Sequence, residues 1–302
     1  MDVAVSGSSG LIGTALVAGL AEAGHRPIRL VRRQPAAGAD EIRWLPAEGE
    51  IDAESLDGID AIVNLSGAGI GDRRWTPAYK QLCVTSRTVS TSLLATTAAA
   101  MARPPKVLLS GSAIGFYGSQ GDTELTEQSP PGSDFLADLV VAWEGAAEPA
   151  IDAGIRTAFL RTGIVLSTDG GALAKLLPLF KIGLGGRFGS GRQYMSWITI
   201  DDEVDAILHL LDGTAAGPVN LTAPSPVTNA EFTETLSDVL GRPSLLPIPA
   251  FGPKLVMGSE RADALLFDSM RVLPDVLQGS GFNFASKILE DGLRAVLDRD
   301  SV

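Results

Sequence analysis

Val3-Ala4-Val5-Ser6-Gly7-Ser8-Ser9-Gly10-Leu11-Ile12-Gly13 is the stretch that decides the fold. Val3 to Ser6 is a short apolar run that reads as a buried strand. Leu11, Ala15, Leu16 and Leu20 then recur at helical spacing, and Gly24 supplies the stop. Between strand and helix lies Gly-x-x-Gly-x-x-Gly. Gly7 allows the tight turn, Gly10 lets the backbone approach a pyrophosphate, and Gly13 lets helix and strand pack closely. With Ser9, Leu11 and Ile12 they form a cofactor-binding turn, because a helix N-terminus offers free N–H groups and partial positive charge to phosphates. A glycine triplet alone is weak evidence; its place between strand and helix gives it weight.

Alternation continues outward. Ile28 to Val31, Glu41 to Leu45, Ala61 to Leu65, Lys106 to Leu109 and Thr157 to Leu166 read as strands. Thr76 to Met101 reads as one long helix, and Phe135 to Ala153 as a helix that Pro149 should bend or break. Strands separated by helices pair in parallel, which predicts a doubly wound, Rossmann-like α/β sheet. We expect a dinucleotide-binding domain over 1–170, with later strands from 195–222, and a smaller, mostly helical C-terminal lobe over 171–302. Lys175 to Arg192, with five glycines, reads as a loop or lid. Asp201 to Leu211, Asn229 to Leu240 behind a Thr228 cap, and Ser286 to Leu297 read as helices, and Pro243 to Pro253 as irregular.

Composition narrows the class. The 302 residues are 45% hydrophobic and 20% charged, which is ordinary for a globular chain. The net charge of −12 disfavours nucleic acid and anionic membranes as partners. One cysteine and two histidines build neither an internal disulfide nor a usual zinc site. No leader or membrane span is visible, which predicts a cytoplasmic protein that can be an oligomer.

The second strand decides the cofactor. NAD sites place an Asp or Glu about 20 residues on to bind ribose hydroxyls. Here Arg32 stands 19 residues after Gly13, Arg33 beside it, and no carboxylate falls between Ile28 and Ala39. Guanidinium groups pair with a 2′-phosphate, so NADP(H) is expected.

Several further pieces share one pattern with the glycine loop. They are Asn64-Leu65-Ser66-Gly67-Ala68, Arg74-Trp75-Thr76, Ser110 to Gly118, Arg161 to Val165, Met195 to Asp202, and Ser269 to Pro274 with Gly281-Phe282. Together they resemble the extended and atypical short-chain dehydrogenase/reductases, specifically the epimerase-family proteins with an added C-terminal domain of unknown function. The resemblance covers nearly the whole chain. It implies an NADP(H) site with Asn64, Leu65, Ser66 and Gly67 beside the ribose, Gly163, Ile164 and Val165 facing the nicotinamide, and Ser110 and Ser112 ending the strand that presents a catalytic serine. It implies no particular substrate.

The same resemblance exposes a departure. The family pairs a tyrosine acid/base with a lysine four residues later. At the matching helix, counting from Glu144 puts Leu136 and Val140 in those places, a slide of one gives Phe135 and Leu139, and Arg87 stands where the assisting asparagine is expected. Ser112 persists. Tyr117, five residues on, is the candidate substitute acid. Without a lysine it should stay near its reference pKa of about 10 and serve reduction better than oxidation. Arg74, Arg87, Arg192, Met195 and Trp197 are the substrate-side candidates, and the arginines suggest an anionic small molecule. His209 reads as a satisfied core histidine. Two functions stand: an NADP(H)-dependent oxidoreductase or epimerase acting on a small polar metabolite, or a non-catalytic NADP(H)-binding redox sensor.

Overall fold

The computed structural model describes residues 1–244 and 247–298. Along the first half run β1 (Asp2–Ser6), α1 (Leu11–Glu22), β2 (Arg26–Val31), β3 (Glu41–Leu45), β4 (Glu50–Ile51), α2 (Ala53–Leu56), β5 (Ala61–Asn64), α3 (Pro77–Ala100), β6 (Val107–Ala113), β7 (Glu124–Leu125), α4 (Phe135–Gly145) and α5 (Glu148–Asp152). The second half adds β8 (Arg156–Thr162), β9 (Ile164–Leu166), α6 (Gly171–Lys181), β10 (Tyr194–Met195), β11 (Trp197–Thr199), α7 (Ile200–Asp212), β12 (Gly217–Leu221), β13 (Val227–Thr228), α8 (Asn229–Leu240), α9 (Phe251–Met257), α10 (Ser259–Ala262), β14 (Arg271–Val272), α11 (Asp275–Gly279) and α12 (Leu289–Asp298).

Eight strands form one sheet in the order β12-β8-β6-β5-β1-β2-β3-β4. Every pairing is parallel except β3 with β4. The order reverses at β1, which lies between β2 and β5, so the crevice above their carboxyl ends is the switch point where ligands bind. Side chains alternate across β1: Val3 and Val5 pack with Leu16 and Ile207 of α1 and α7, while Ala4 packs with Ile62 and Leu94 under α3. A separate core, built on Leu173, Leu177, Trp197, Phe232 and Leu293, holds α6, α8 and α12 together beyond the sheet. The expected doubly wound sheet with a helical C-terminal part is present.

Two local expectations change, and the break expected near Pro149 is present. Lys175 to Lys181 is helix, not loop: Leu173, Leu177 and Phe180 make a buried stripe, and the interior Pro178 is tolerated on an exposed position. The strand expected at Thr157 to Leu166 divides at Gly163. Its N–H bonds Leu221 on β12, whereas the Ile164 N–H bonds Ser196 beside β11, so the chain changes partners there. The helix expected from Phe135 to Ala153 breaks at Ala146–Ala147, ahead of Pro149, which opens α5. Within Pro243 to Pro253, Leu245 and Leu246 lie outside the described residues, and α9 starts at Phe251.

Candidate active site

A cleft of about 1080 Å³ opens above the switch point, lined on one side by Gly7 to Gly10 and on the other by Leu65 to Ala68. Gly7 has φ +67°, and a Cβ there would strike the Leu65 carbonyl at 2.6 Å. A Cβ on Gly13 would meet the Gly7 oxygen at 2.2 Å, so the turn folds flat against the helix only with glycine. Gly10 differs: its Cβ would approach only the Gly7 oxygen, at 3.3 Å, and otherwise face the cleft. The helix start behind it is bare. No side chain caps α1, and its first turn holds no acidic residue; α6 shares this bare start, whereas α3, α4, α7 and α8 carry side-chain caps. Uncapped N–H groups at an open helix N-terminus suit a phosphate. These residues fit a dinucleotide pyrophosphate.

At the far end, Arg29, Arg32 and Arg33 line the cleft together with Glu41. Arg33 is already engaged. Its guanidinium donates to Glu41 at 2.6 and 2.8 Å and to the Gln34 carbonyl. Arg33 holds the Glu41 carboxyl below its usual range, helped by the Ala36 N–H. Both arginines thus line the cleft, Arg33 paired with Glu41 and Arg32 with no ion pair among the described residues. Glu41 escapes a search that ends at Ala39, because β2 and β3 pair Arg29 opposite Glu41.

Near the ends of β6 and β8 lies a buried polar chain. Ser112 Oγ donates to Glu144 Oε1 at 2.6 Å. Arg161 donates to both oxygens of Glu144 and, through Nη1, to the Tyr117 hydroxyl at 3.1 Å. Tyr117 in turn donates to Asn220 Oδ1 at 2.7 Å. The assignment of Tyr117 as substitute acid is corrected here. A single 3-10 turn, Ile114–Tyr117, carries the ring into a cluster with Tyr79, Cys83, Leu139 and Trp143, where it is fully buried. Burial pushes its pKa up, against the opposing pull of Arg161. Ser112, on β6, is 6% exposed.

The other expected residues separate into two groups. Leu65, Ser66 and Gly67 line the cleft, while Gly163, Ile164 and Val165 lie half-buried past the carboxyl end of β8. Asn64 and Ser110 are fully buried, and neither lines the cleft. Asn64 accepts from Ser6 and donates to Thr91, which makes it a brace between β1, β5 and α3. On the substrate side, Trp197 is enclosed in the C-terminal core and donates to Ser225, which removes it as a contact residue. Met195 is half-buried, with its sulfur accepting from Asn229. Arg192 is exposed, and Arg74 lines a cavity of about 210 Å³ with Trp75 and Met257 to Arg261. Arg87 is half-buried over Trp143. His209 bonds Ser280 and stacks near Phe282. No group that could hold a metal occurs among the described residues. No helix there is long and apolar enough to cross a membrane.

The model of the "NAD dependent epimerase/dehydratase family" matches residues 3–222, and a "Domain of unknown function (DUF1731)" matches 248–296. The chain is 44% identical to the Epimerase family protein Mb2239 of Mycobacterium bovis over 96% of both chains. It superposes on human epimerase family protein SDR39U1, crystallised with NADPH, with a TM-score of 0.90 at 34% identity, over 99% of each chain. The UDP-glucose 4-epimerase of Thermus thermophilus, in complex with NAD, has a TM-score of 0.74 over the whole of both chains at 17% identity, a likeness of fold alone. By the family match over the sheet and the identity of its relatives, the chain belongs to the NAD dependent epimerase/dehydratase family.

Proposed function

We propose that the protein is an NADPH-dependent oxidoreductase or epimerase acting on a small polar metabolite. The observation that carries this reading is the uncapped start of α1, which opens under Gly10 into a cleft whose far end presents Arg32. The α1 N–H groups hold the pyrophosphate, Arg32 the 2′-phosphate, and the Leu65–Gly67 backbone passes close to a ribose. Gly163 to Val165 flank the nicotinamide. NADPH bound there supplies a hydride at the nicotinamide C4. The Ser112 hydroxyl, held at the strand end by Glu144 and Arg161, would turn from Glu144 to the substrate oxygen, give its proton to the alkoxide that hydride addition leaves, and regain a proton from solvent. The human relative crystallised with NADPH supports the cofactor choice.

A second reading, a non-catalytic NADPH-binding protein, is favoured by one observation: α4 carries Leu136 and Val140, and the nearby Tyr117 is fully buried. NADPH fluorescence titration tests the cofactor, and consumption of NADPH across a panel of carbonyl compounds separates the readings. No enhancement on titration sinks both.

A further inference from the structure

The geometry points to Arg87 as the residue that recognises a carboxylate or phosphate on the substrate. This deepens the proposed function and rests on it. Arg87 projects from α3 behind the Leu65–Ala68 loop that lines the cleft: a Cβ on Gly67 would lie 3.0 Å from its Cζ. Nη1 donates to the carbonyls of Ala68 and Cys83, and the guanidinium lies 4.9 Å from the centre of the Trp143 ring. Trp143 packs in turn against Gly111, the residue before Ser112, so the cation stands between the cleft loop and the strand end that offers the serine. Its Nε is buried without a partner, and no carboxylate forms an ion pair with it among the described residues.

Two other arginines shielded from water are compensated, whereas half-buried Arg261, whose Nε is also orphaned, lies away from the cleft and donates to the Arg73 carbonyl. Arg161 has Glu144. Arg156 donates to the carbonyls of Leu210, Leu211 and Ala215, where the negative end of α7 compensates its charge. Arg87 bonds one carbonyl of its own helix interior and one loop carbonyl, and neither carries a net charge. A cation withdrawn from water without a counter-charge is costly, and burial lowers its pKa accordingly. The anionic groups of NADPH already have partners in the α1 N-terminus and Arg32, so the charge that completes Arg87 comes from the second ligand. A carbonyl compound bearing a carboxylate or phosphate fits.

The test is calorimetric titration of oxamate and, separately, inorganic phosphate into the NADPH-loaded protein. Binding of at least one probe by the parent is expected, weakened tenfold or more in Arg87→Leu and partly retained in Arg87→Lys. NADPH affinity should stay within twofold, and thermal stability should hold or rise, because an uncompensated charge is removed. Anion affinity equal to the parent's in Arg87→Leu, or no binding of either probe by the NADPH-loaded parent, overturns the proposal. A parallel loss of NADPH affinity also overturns it, by assigning the cation to the cofactor. If Arg87→Leu does not fold, Arg87→Gln carries the same comparison. A parent that fails to bind NADPH at the outset sinks the proposed function instead, and this inference falls with it.

Discussion

Arg161 grips Glu144 with both prongs of its guanidinium, Nε to Oε1 at 2.8 Å and Nη2 to Oε2 at 2.9 Å, with side chains only 4% and 12% exposed. This pair joins β8 to α4 and fixes the carboxylate that accepts the Ser112 hydrogen bond. Removing one partner of such a pair strands the other charge. Arg161→Leu should therefore cost about 3–5 kcal/mol of unfolding free energy, and Arg161→Leu with Glu144→Leu should recover a large part of it. Urea denaturation measures both. A single variant within about 1 kcal/mol of the parent would show that the pair is not buried as described.

Tyr117→Phe separates a structural tyrosine from a catalytic one. The fully buried hydroxyl satisfies Asn220 and Arg161, so its loss should cost about 1–3 kcal/mol of stability. NADPH affinity and any turnover that is found should barely move. A hundredfold fall in turnover at unchanged stability would restore Tyr117 as the acid.

The ion pair of Arg33 with Glu41 divides the two arginines of the cleft. Arg32→Ala should weaken NADPH binding about tenfold or more while NADH binding stays level. Arg33→Ala should do much less. Glu41→Gln should improve NADPH affinity, since it removes a negative charge from the cleft and frees a second guanidinium. Fluorescence titration of the three variants with both cofactors decides the matter, and equal losses from Arg32→Ala and Arg33→Ala would contradict it.

Gly10 and Gly13 should fail in different ways. A side chain on Gly10 projects toward the cleft, so Gly10→Val should fold with nearly the parent's melting temperature and lose NADPH. One on Gly13 meets backbone at 2.2 Å, so even Gly13→Ala should lower the melting temperature. Circular dichroism melts alongside NADPH titration test the pair. Undiminished binding by Gly10→Val would remove the pyrophosphate from this turn.

Much of the fold was legible because its signals are local. The Val3 to Gly13 run carries strand, turn and helix start within eleven residues, and the parallel order follows from alternation. The polar chain was not, because its bonds are distant. Tyr117 meets Asn220 across 103 positions, and no property of Phe116-Tyr117-Gly118 says that the ring turns inward. Trp197 looked like a strand-end contact because Met195 to Asp202 matched a family pattern. β11 instead pairs with β9 and faces the core under α12, so an aromatic at that register is packing. Glu41 was missed by two positions, since strand register sets its partnership with Arg33. Arg87 was found by its departure from the family pattern; its missing counter-charge became visible only in three dimensions.

Glu203 makes the last prediction, and it concerns pH. It is fully buried in the first turn of α7, accepts from Thr162 Oγ1 at 2.8 Å, and leaves Oε2 without a partner. Burial pushes its pKa from 4.5 up to about 8. Across that window an unfolded chain releases the proton and the folded chain keeps it, so the folded state binds more protons and loses stability as pH rises. The slope from one such group approaches about 1.4 kcal/mol per pH unit. Below the window both states are protonated, and above it both are charged. Glu203→Gln keeps an acceptor for Thr162 and has nothing to titrate. The difference in unfolding free energy between Glu203→Gln and the parent should therefore shift steadily in the variant's favour from pH 5 to pH 8. All other titrating groups are common to both proteins and cancel. Urea midpoints at pH 5, 6.5 and 8 measure the shift. Two curves that run parallel across this range would mean that Glu203 ionises in the folded protein as it does in the unfolded chain.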